Sequence, residues 1–110
     1  MMSASHTANL AENISDQANG IVLVFSLYRN GAAEDVSINS FFISKKEVEL
    51  LSGAPHFFLL GINAGFSSLA GKYIYIHDNK LVGHEGNDDV GSSVISFNNS
   101  SYVLRYVIGV

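Results

Sequence analysis

The final residues of the chain, Tyr102 to Val110, read YVLRYVIGV and have the composition of a β-strand. Side chains along a strand point alternately to its two faces, and in this segment both alternating sets are largely apolar. Neither face of such a strand meets water favourably. We therefore predict that this segment and the similarly apolar Gly20 to Arg29 are the most buried strands, covered inside a sheet, between sheets or by another subunit.

Further strand-like segments recur about every ten residues, separated by clusters of Gly, Asn, Asp and Ser, which is the spacing of an antiparallel β-sandwich or barrel. Asn30-Gly31 and Asp78-Asn79 have the composition of tight hairpin turns. The segment from Ser44 to Glu47 has the spacing of a capping box, and Gly53 is placed to end the short helical turn that follows. The sequence therefore predicts an all-β fold with one short helical turn. The predicted strands are Thr7–Glu12, Gly20–Arg29, Asp35–Ile43, Phe57–Asn63, Lys72–His77, Lys80–Gly83, Ser93–Phe97 and Tyr102–Val110.

The length of 110 residues suits one domain with a single core. Residues 10–110 are predicted to form this domain, and residues 1–9 are interpreted as an upstream segment or an expression-tag remnant. Charged residues make up only 15% of the chain, against about 25% in typical soluble domains. So few charges leave apolar surface that other subunits could cover. The composition thus favours an oligomer.

Composition also argues against several classes of function. The chain has no cysteine, which rules out disulfides, thiolate metal sites and cysteine nucleophiles. Its net charge is −4 and basic runs are absent, so nucleic acid is not an expected partner. No apolar run approaches the ~20 residues that cross a bilayer as a helix. A soluble chain without a membrane partner is therefore expected.

The candidate motifs for catalysis and metal binding are weak. Metal-type side chains are densest between His77 and Asp89, but their spacing matches neither a zinc nor a calcium motif. No nucleophile elbow and no phosphate-binding glycine loop is present. The acidic residues lie in predicted turns, where solvated loop charge is the simpler interpretation. The sequence therefore predicts no enzyme, no metal and no cofactor.

One polar, glycine-rich loop could recognise a sugar. A sugar offers C–H faces to an aromatic ring and hydroxyl groups to hydrogen-bonding side chains. The loop at residues 83–93 has such polar side chains, and its glycines would let the backbone approach a ligand closely. The simpler alternative is that this segment is only a turn. The predicted ligand-binding residues are His84, Asn87, Asp88 and Asp89, with Tyr28 or Tyr73 as a stacking ring.

Four ordered stretches carry a resemblance to a known family. They are NGIVLVFSLY at 19–28, FISK at 42–45 with Val48, KYIYIHD at 72–78 followed by Gly83, and VLRYVIGV at 103–110. Together they resemble the C-terminal domain of tail-tip and minor structural proteins of siphophages that infect Gram-positive bacteria, including receptor-binding proteins of Listeria phages. The resemblance covers Leu10 to Val110. Modules of this kind often carry Trp and Pro where this chain has Phe25 and Ser44.

The resemblance implies a homotrimeric β-rich head in the tail of a phage virion, outside the host cell at attachment. Such a head binds a host cell-wall carbohydrate, such as glycosylated wall teichoic acid, without catalysis, and its other partners are further phage tail proteins. The net charge of −4 favours neutral sugar substituents over the polymer's phosphates. The alternatives are a structural tail or baseplate module without a sugar site and, in a third class, a cell-wall hydrolase. The matching stretches are strands and turns, so no binding residue follows from them.

Overall fold

The computed structural model describes residues 2, 5–62, 69–88, 95–97 and 102–110. Most of these residues form antiparallel strands in two sheets, with one short α-helix, which confirms the predicted all-β class. The elements are β1 (Thr7–Asn9), β2 (Gly20–Arg29), β3 (Ala32–Ala33), β4 (Asn39–Ser44), α1 (Lys45–Leu51), β5 (Pro55–Ile62), β6 (Leu69–Ile76), β7 (Lys80–Gly83), β8 (Ile95–Phe97) and β9 (Tyr102–Gly109). Two 3₁₀ turns, Ile14–Asp16 and Glu85–Asp88, complete the described elements.

Some strands pair with their neighbours in sequence, and others pair with strands far away in the sequence. In the five-stranded sheet the order is β1-β7-β6-β5, and β8 lies beside β6 in the fold's one parallel pairing among the described residues. In the four-stranded sheet β2 is central, and it pairs with β3 and β4 and also with β9. The first sheet includes β1, so residues 7–9 join the fold three residues before the predicted domain boundary.

The two predicted hairpin turns are confirmed. Asn30 and Gly31 have φ angles of 56° and 77°, and this pair of positive values is what a two-residue type I′ turn between β2 and β3 requires. Asp78-Asn79 connects β6 to β7, where the His77 N–H donates to the Lys80 carbonyl at 2.9 Å. Short-range turn chemistry therefore sets the register of both hairpins.

The predicted capping box is also confirmed at the start of α1. The Glu47 N–H donates to Ser44 Oγ and the Ser44 N–H donates to Glu47 Oε2, each at 3.1 Å. Gly53, with a φ angle of 85°, follows the helix end as predicted. The helix has seven residues, and no helix in the described ranges is long and apolar enough to cross a membrane.

Three phenylalanine rings join the two sheets in the core. Phe25 on β2 and Phe41 on β4 contact each other with ring centroids 5.9 Å apart, and both contact Phe58 on β5 of the other sheet, at 5.7 and 5.0 Å. Phe25 is completely buried. Because this cluster spans both sheets, it is a direct packing contact between the two layers of the sandwich.

The C-terminal strand is less buried than the sequence predicts. Tyr102 at its start is buried, but Tyr106 and Ile108 are 57% and 48% exposed in the single chain. Within the single chain, the second half of Tyr102 to Val110 is therefore not among the most buried segments, and its cover by another subunit stays a prediction. β2 meets the prediction better, because most of its residues are buried.

A β-bulge explains why both alternating sets of β9 are apolar. Leu104 lies opposite Phe25 and Tyr106 lies opposite Val24, so Arg105 is the extra residue. At the bulge, the alternating set of side chains that faces the core changes. Leu104, which precedes the bulge, packs against the core, and Val107, which follows it and belongs to the other set, does so too. One alternating set thus reaches the core through Leu104 and the other through Val107, whereas Tyr106 and Ile108 lie on the outer side. Simple alternation along the sequence does not anticipate this change of face.

Candidate functional site

A row of rings lies on the outer face of the five-stranded sheet. Phe57 on β5 and Tyr73 on β6 are cross-strand partners with ring centroids 5.2 Å apart. The His84 ring, just after β7, lies 5.2 Å from the Tyr73 ring and is stacked on Tyr75 at 4.9 Å. These four residues, Phe57, Tyr73, His84 and Tyr75, are called the aromatic row below. They provide a continuous surface of ring faces and edges.

Strand alternation places this row on the solvent side of the sheet. Along β6 the side chains of Lys72 and Ile74 are completely buried, whereas Tyr73 and Tyr75 are half-buried on the opposite face. On β5, Phe57 and Phe58 likewise point to opposite faces: Phe58 is buried in the core, and Phe57 is 42% exposed. The row is therefore accessible to a ligand.

His84 is held in one orientation by its own turn. The Gly86 N–H donates to His84 Nδ1 at 2.8 Å, so the neutral imidazole carries its proton on Nε2. A Cβ at Gly86 would lie 3.0 Å from that Nδ1, which is too close for easy accommodation. The turn thus fixes the ring against Tyr73 and Tyr75 and leaves one N–H donor for a partner.

Asn87, predicted as a ligand contact, is a buried structural residue. Its Oδ1 accepts from the Tyr73 N–H at 2.8 Å, and its Nδ2 donates to the carbonyls of Tyr73 and Met2 at 2.6 and 2.8 Å. It is completely buried. The prediction that Asn87 is an exposed sugar contact is therefore wrong, because its hydrogen-bonding atoms are already used by the backbone.

The role of Asn87 follows from the pairing of β6. One edge of β6 pairs with β7 from Ile74 onward and with β8 up to Gly71, which leaves a gap at Tyr73. The Asn87 amide fills this gap, because it bonds both the N–H and the C=O of Tyr73 as a neighbouring strand would. Asn87 therefore holds the backbone of Tyr73 at the edge of β6, while the side chain of Tyr73 contributes its ring to the row.

The other predicted site residues are only partly brought together. Asp88 ends the 3₁₀ turn that begins one residue after His84, and its side chain is outside the description. Asp89 lies outside the described residues. Tyr28 is half-buried on β2, opposite Ala33 in the other sheet, whereas Tyr73 lies beside His84. Of the two predicted stacking rings, Tyr73 is thus the one that belongs to the site.

Two members of the row were not predicted as ligand contacts. Phe57 and Phe58 are adjacent in an apolar segment, and the sequence does not show which of them faces outward. Tyr75 follows Tyr73 by two residues, and that period-two spacing was the available signal for a shared face. The sequence does favour Tyr73 and Tyr75, together with Tyr28, as exposed rings, but Tyr75 is not among the predicted ligand contacts.

The row has the chemistry of a flat binding surface. Ring faces dominate it, and the His84 Nε2–H adds a polar contact.

No protein-family model, curated protein or solved structure matches this chain. Within the part of the chain that the structure describes, no group of three His, Asp or Glu side chains is placed to hold a metal ion. The geometry of the row and the resemblance of the four sequence stretches are therefore the two features that bear on function.

Proposed function

We propose that this chain is the carbohydrate-binding head of a phage tail receptor-binding protein, which attaches to a host cell-wall glycan such as glycosylated wall teichoic acid without catalysis. The observation that carries the proposal is the accessible aromatic row on the outer face of the five-stranded sheet. The resemblance of four sequence stretches to such tail modules supports it and supplies the class of glycan.

The row suits sugar rings for a physical reason. The C–H face of a sugar packs against an aromatic face, and the hydroxyl groups at its rim need hydrogen-bonding partners. Phe57, Tyr73 and Tyr75 supply ring faces, and the Nε2–H of His84 supplies a donor between them. Because neighbouring centroids are about 5 Å apart, adjacent parts of one glycan could pack on successive rings.

The charge of the chain favours neutral sugar units at this row. None of the four row residues is a carboxylate or a strong cation, while the whole chain carries a net charge of −4. An anionic protein repels a polyanionic polymer unless a local positive group offsets the repulsion. The row would therefore bind sugar substituents rather than the phosphate groups of a teichoic acid.

Replacing Phe57 with alanine is expected to weaken attachment to host cells about tenfold, because an aromatic stacking contact contributes about 0.5–1.5 kcal/mol beyond its buried area. The measurement is binding of fluorescently labelled protein to intact host cells over a concentration series. Leu50→Ala is the matched control, since Leu50 is an exposed apolar residue on α1, away from the sheet face. That control should bind like the unmodified protein.

The outcomes distinguish the alternatives. Unchanged binding by Phe57→Ala would place the sugar site elsewhere on the chain. Failure of the unmodified protein to bind host cells would favour the structural tail module instead. A fall in the turbidity of those cells would favour the hydrolase. Each result therefore rejects a different part of the proposal.

The proposal includes a homotrimer, for which the four-stranded sheet offers a surface. Its outer side carries two cross-strand rows, Ile108–Val22–Phe42 and Tyr106–Val24–Ser40. Four apolar residues of these rows, Val22, Val24, Phe42 and Ile108, are called the apolar face. Phe42 is 55% exposed. Because the apolar face contains no charged side chain, copies of a chain with net charge −4 could approach each other there, and three joined sites would increase avidity.

Replacing Phe42 with aspartate is expected to convert a trimer into monomers, because each copy would bring an unpaired charge into the contact. Light scattering measures the mass directly, against 11.8 kDa for one chain. Leu50→Asp is the control, since it adds the same charge to α1 and should leave the trimer intact. A monomeric mass for the unmodified protein at micromolar concentration would contradict the trimer and, with it, the role of the apolar face.

A further inference from the structure

Arg105, the extra residue of the β9 bulge, is held in a defined position. Its Nη1 donates to Ser26 Oγ at 3.0 Å and to Asp35 Oδ1 at 2.9 Å, and its guanidinium lies 5.7 Å from the centroid of the Tyr106 ring. Ser26 is completely buried, so it forms a fixed anchor for the guanidinium. The Arg105 side chain itself is 23% exposed. A bulge commonly redirects a side chain in this way, often next to a functional site.

The bidentate side of this guanidinium is open. Both bonds to Ser26 and Asp35 come from Nη1, and the other side chain that interacts with this guanidinium among the described residues is the neutral Tyr106, so no carboxylate there bonds Nε or Nη2. Nε and Nη2 together form the planar fork that matches two oxygens of a phosphate or carboxylate. The hydrogen bond to Asp35 raises the pKa of Arg105, which therefore remains charged.

Arg29, the other arginine of the chain, differs from Arg105 in the hydrogen bonds of its guanidinium. Arg29 donates from both Nε and Nη2 to the two carboxylate oxygens of Glu34, at 3.1 and 2.6 Å, so its fork is filled by its own chain. Asp35, in contrast, contacts Arg105 through one oxygen, and its side chain is 89% exposed. Such an exposed single contact contributes little to stability and exchanges readily with another anion.

We propose that Arg105 is the anchor of a binding site for a phosphate ester, in which the Nε–Nη2 fork holds two phosphate oxygens and the Tyr106 ring packs against the carbon atoms of the esterified sugar or polyol. Asp35 competes for the same guanidinium from its exposed position. This site lies on the four-stranded sheet, separate from the aromatic row, and the proposal does not depend on the carbohydrate function.

The net negative charge of the chain does not prevent such binding. At physiological ionic strength charges are screened over about 8 Å, so distant carboxylates act weakly on an anion at the fork. The direct contact with a charged, pre-oriented guanidinium is much shorter and partly sheltered from water. The closest opposing charge is the Asp35 carboxylate, so removing that charge should strengthen binding.

The test is an NMR titration that follows the arginine Nε–H signals, which number two because the chain contains Arg29 and Arg105 alone. Inorganic phosphate and glycerol 3-phosphate are the probes. The Arg105 signal is expected to move with saturation while that of Arg29 stays in place. Glycerol 3-phosphate should bind more tightly than inorganic phosphate, because its carbons can contact the Tyr106 ring.

Three variants complete the test. Asp35→Asn should tighten phosphate binding about twofold to fivefold, as expected for removal of one exposed competing carboxylate. Arg105→Lys should weaken it, because a lysine has no fork, and Tyr106→Ala should remove the preference for glycerol 3-phosphate. Equal movement of both arginine signals, or unchanged or weaker binding by a folded Asp35→Asn protein, would overturn the proposal and leave Asp35 as a structural partner of Arg105.

Discussion

Replacing Asn87 with alanine is expected to lower the free energy of unfolding by about 3 kcal/mol or more, since each buried polar group that loses its partner costs about 1–3 kcal/mol. Three backbone groups lose a partner in this variant: the N–H and the C=O of Tyr73, and the C=O of Met2. Urea unfolding followed by circular dichroism measures the change. The aromatic row should be disturbed as well, because Asn87 holds the backbone of Tyr73.

Two further variants make the Asn87 result specific. Asn87→Asp keeps the size of the side chain and can still accept from the Tyr73 N–H, but it turns a carboxylate oxygen toward two carbonyl oxygens. It should therefore be at least as destabilised as the alanine variant. Glu85→Ala changes an exposed residue of the same 3₁₀ turn and should leave the unfolding midpoint unchanged. A fully stable Asn87→Ala protein would contradict the structural role and return Asn87 to the list of ligand contacts.

The parts of the fold that depend on short-range chemistry could be predicted from the sequence. Strands β2 and β7 have the predicted bounds, and both hairpin turns and the capping box form where the residue types require them. In the turns and the capping box the partners lie within a few residues of one another, so the identity of the residues is sufficient. The predicted strand Asp35–Ile43 begins later in the structure, since β4 runs from Asn39 to Ser44, and residues 32–33 form the separate short strand β3.

Features that depend on distant residues could not be predicted. The bulge at Arg105 arises from the pairing of β9 with β2, and it alone decides which apolar residues of β9 face outward. Lys72 is completely buried on the inner face of β6, although its residue type predicts a solvent position. Asn87 resembles any polar loop residue until the gap in the pairing of β6 is known. The sequence therefore predicts two members of the aromatic row, His84 and Tyr73, as ligand contacts. The buried role of Asn87 can be recognised only from the tertiary structure.

Replacing Phe25 with alanine is expected to cost about 3–5 kcal/mol of stability, the usual range for removing a buried aromatic side chain. Phe25 is completely buried and its ring contacts both Phe41 and Phe58, so the cavity would open between the two sheets. Thermal and urea unfolding measure the loss.

Phe57→Ala is the matched control for the Phe25 variant, because it removes the same side chain from the outer face of the other sheet. Phe57 is 42% exposed and stacks on Tyr73, so its loss should cost about 1 kcal/mol. The difference between the two variants separates the core from the proposed binding surface. Equal losses would show that Phe57 is a packing residue, and the aromatic row would then be part of the scaffold rather than a ligand-binding surface.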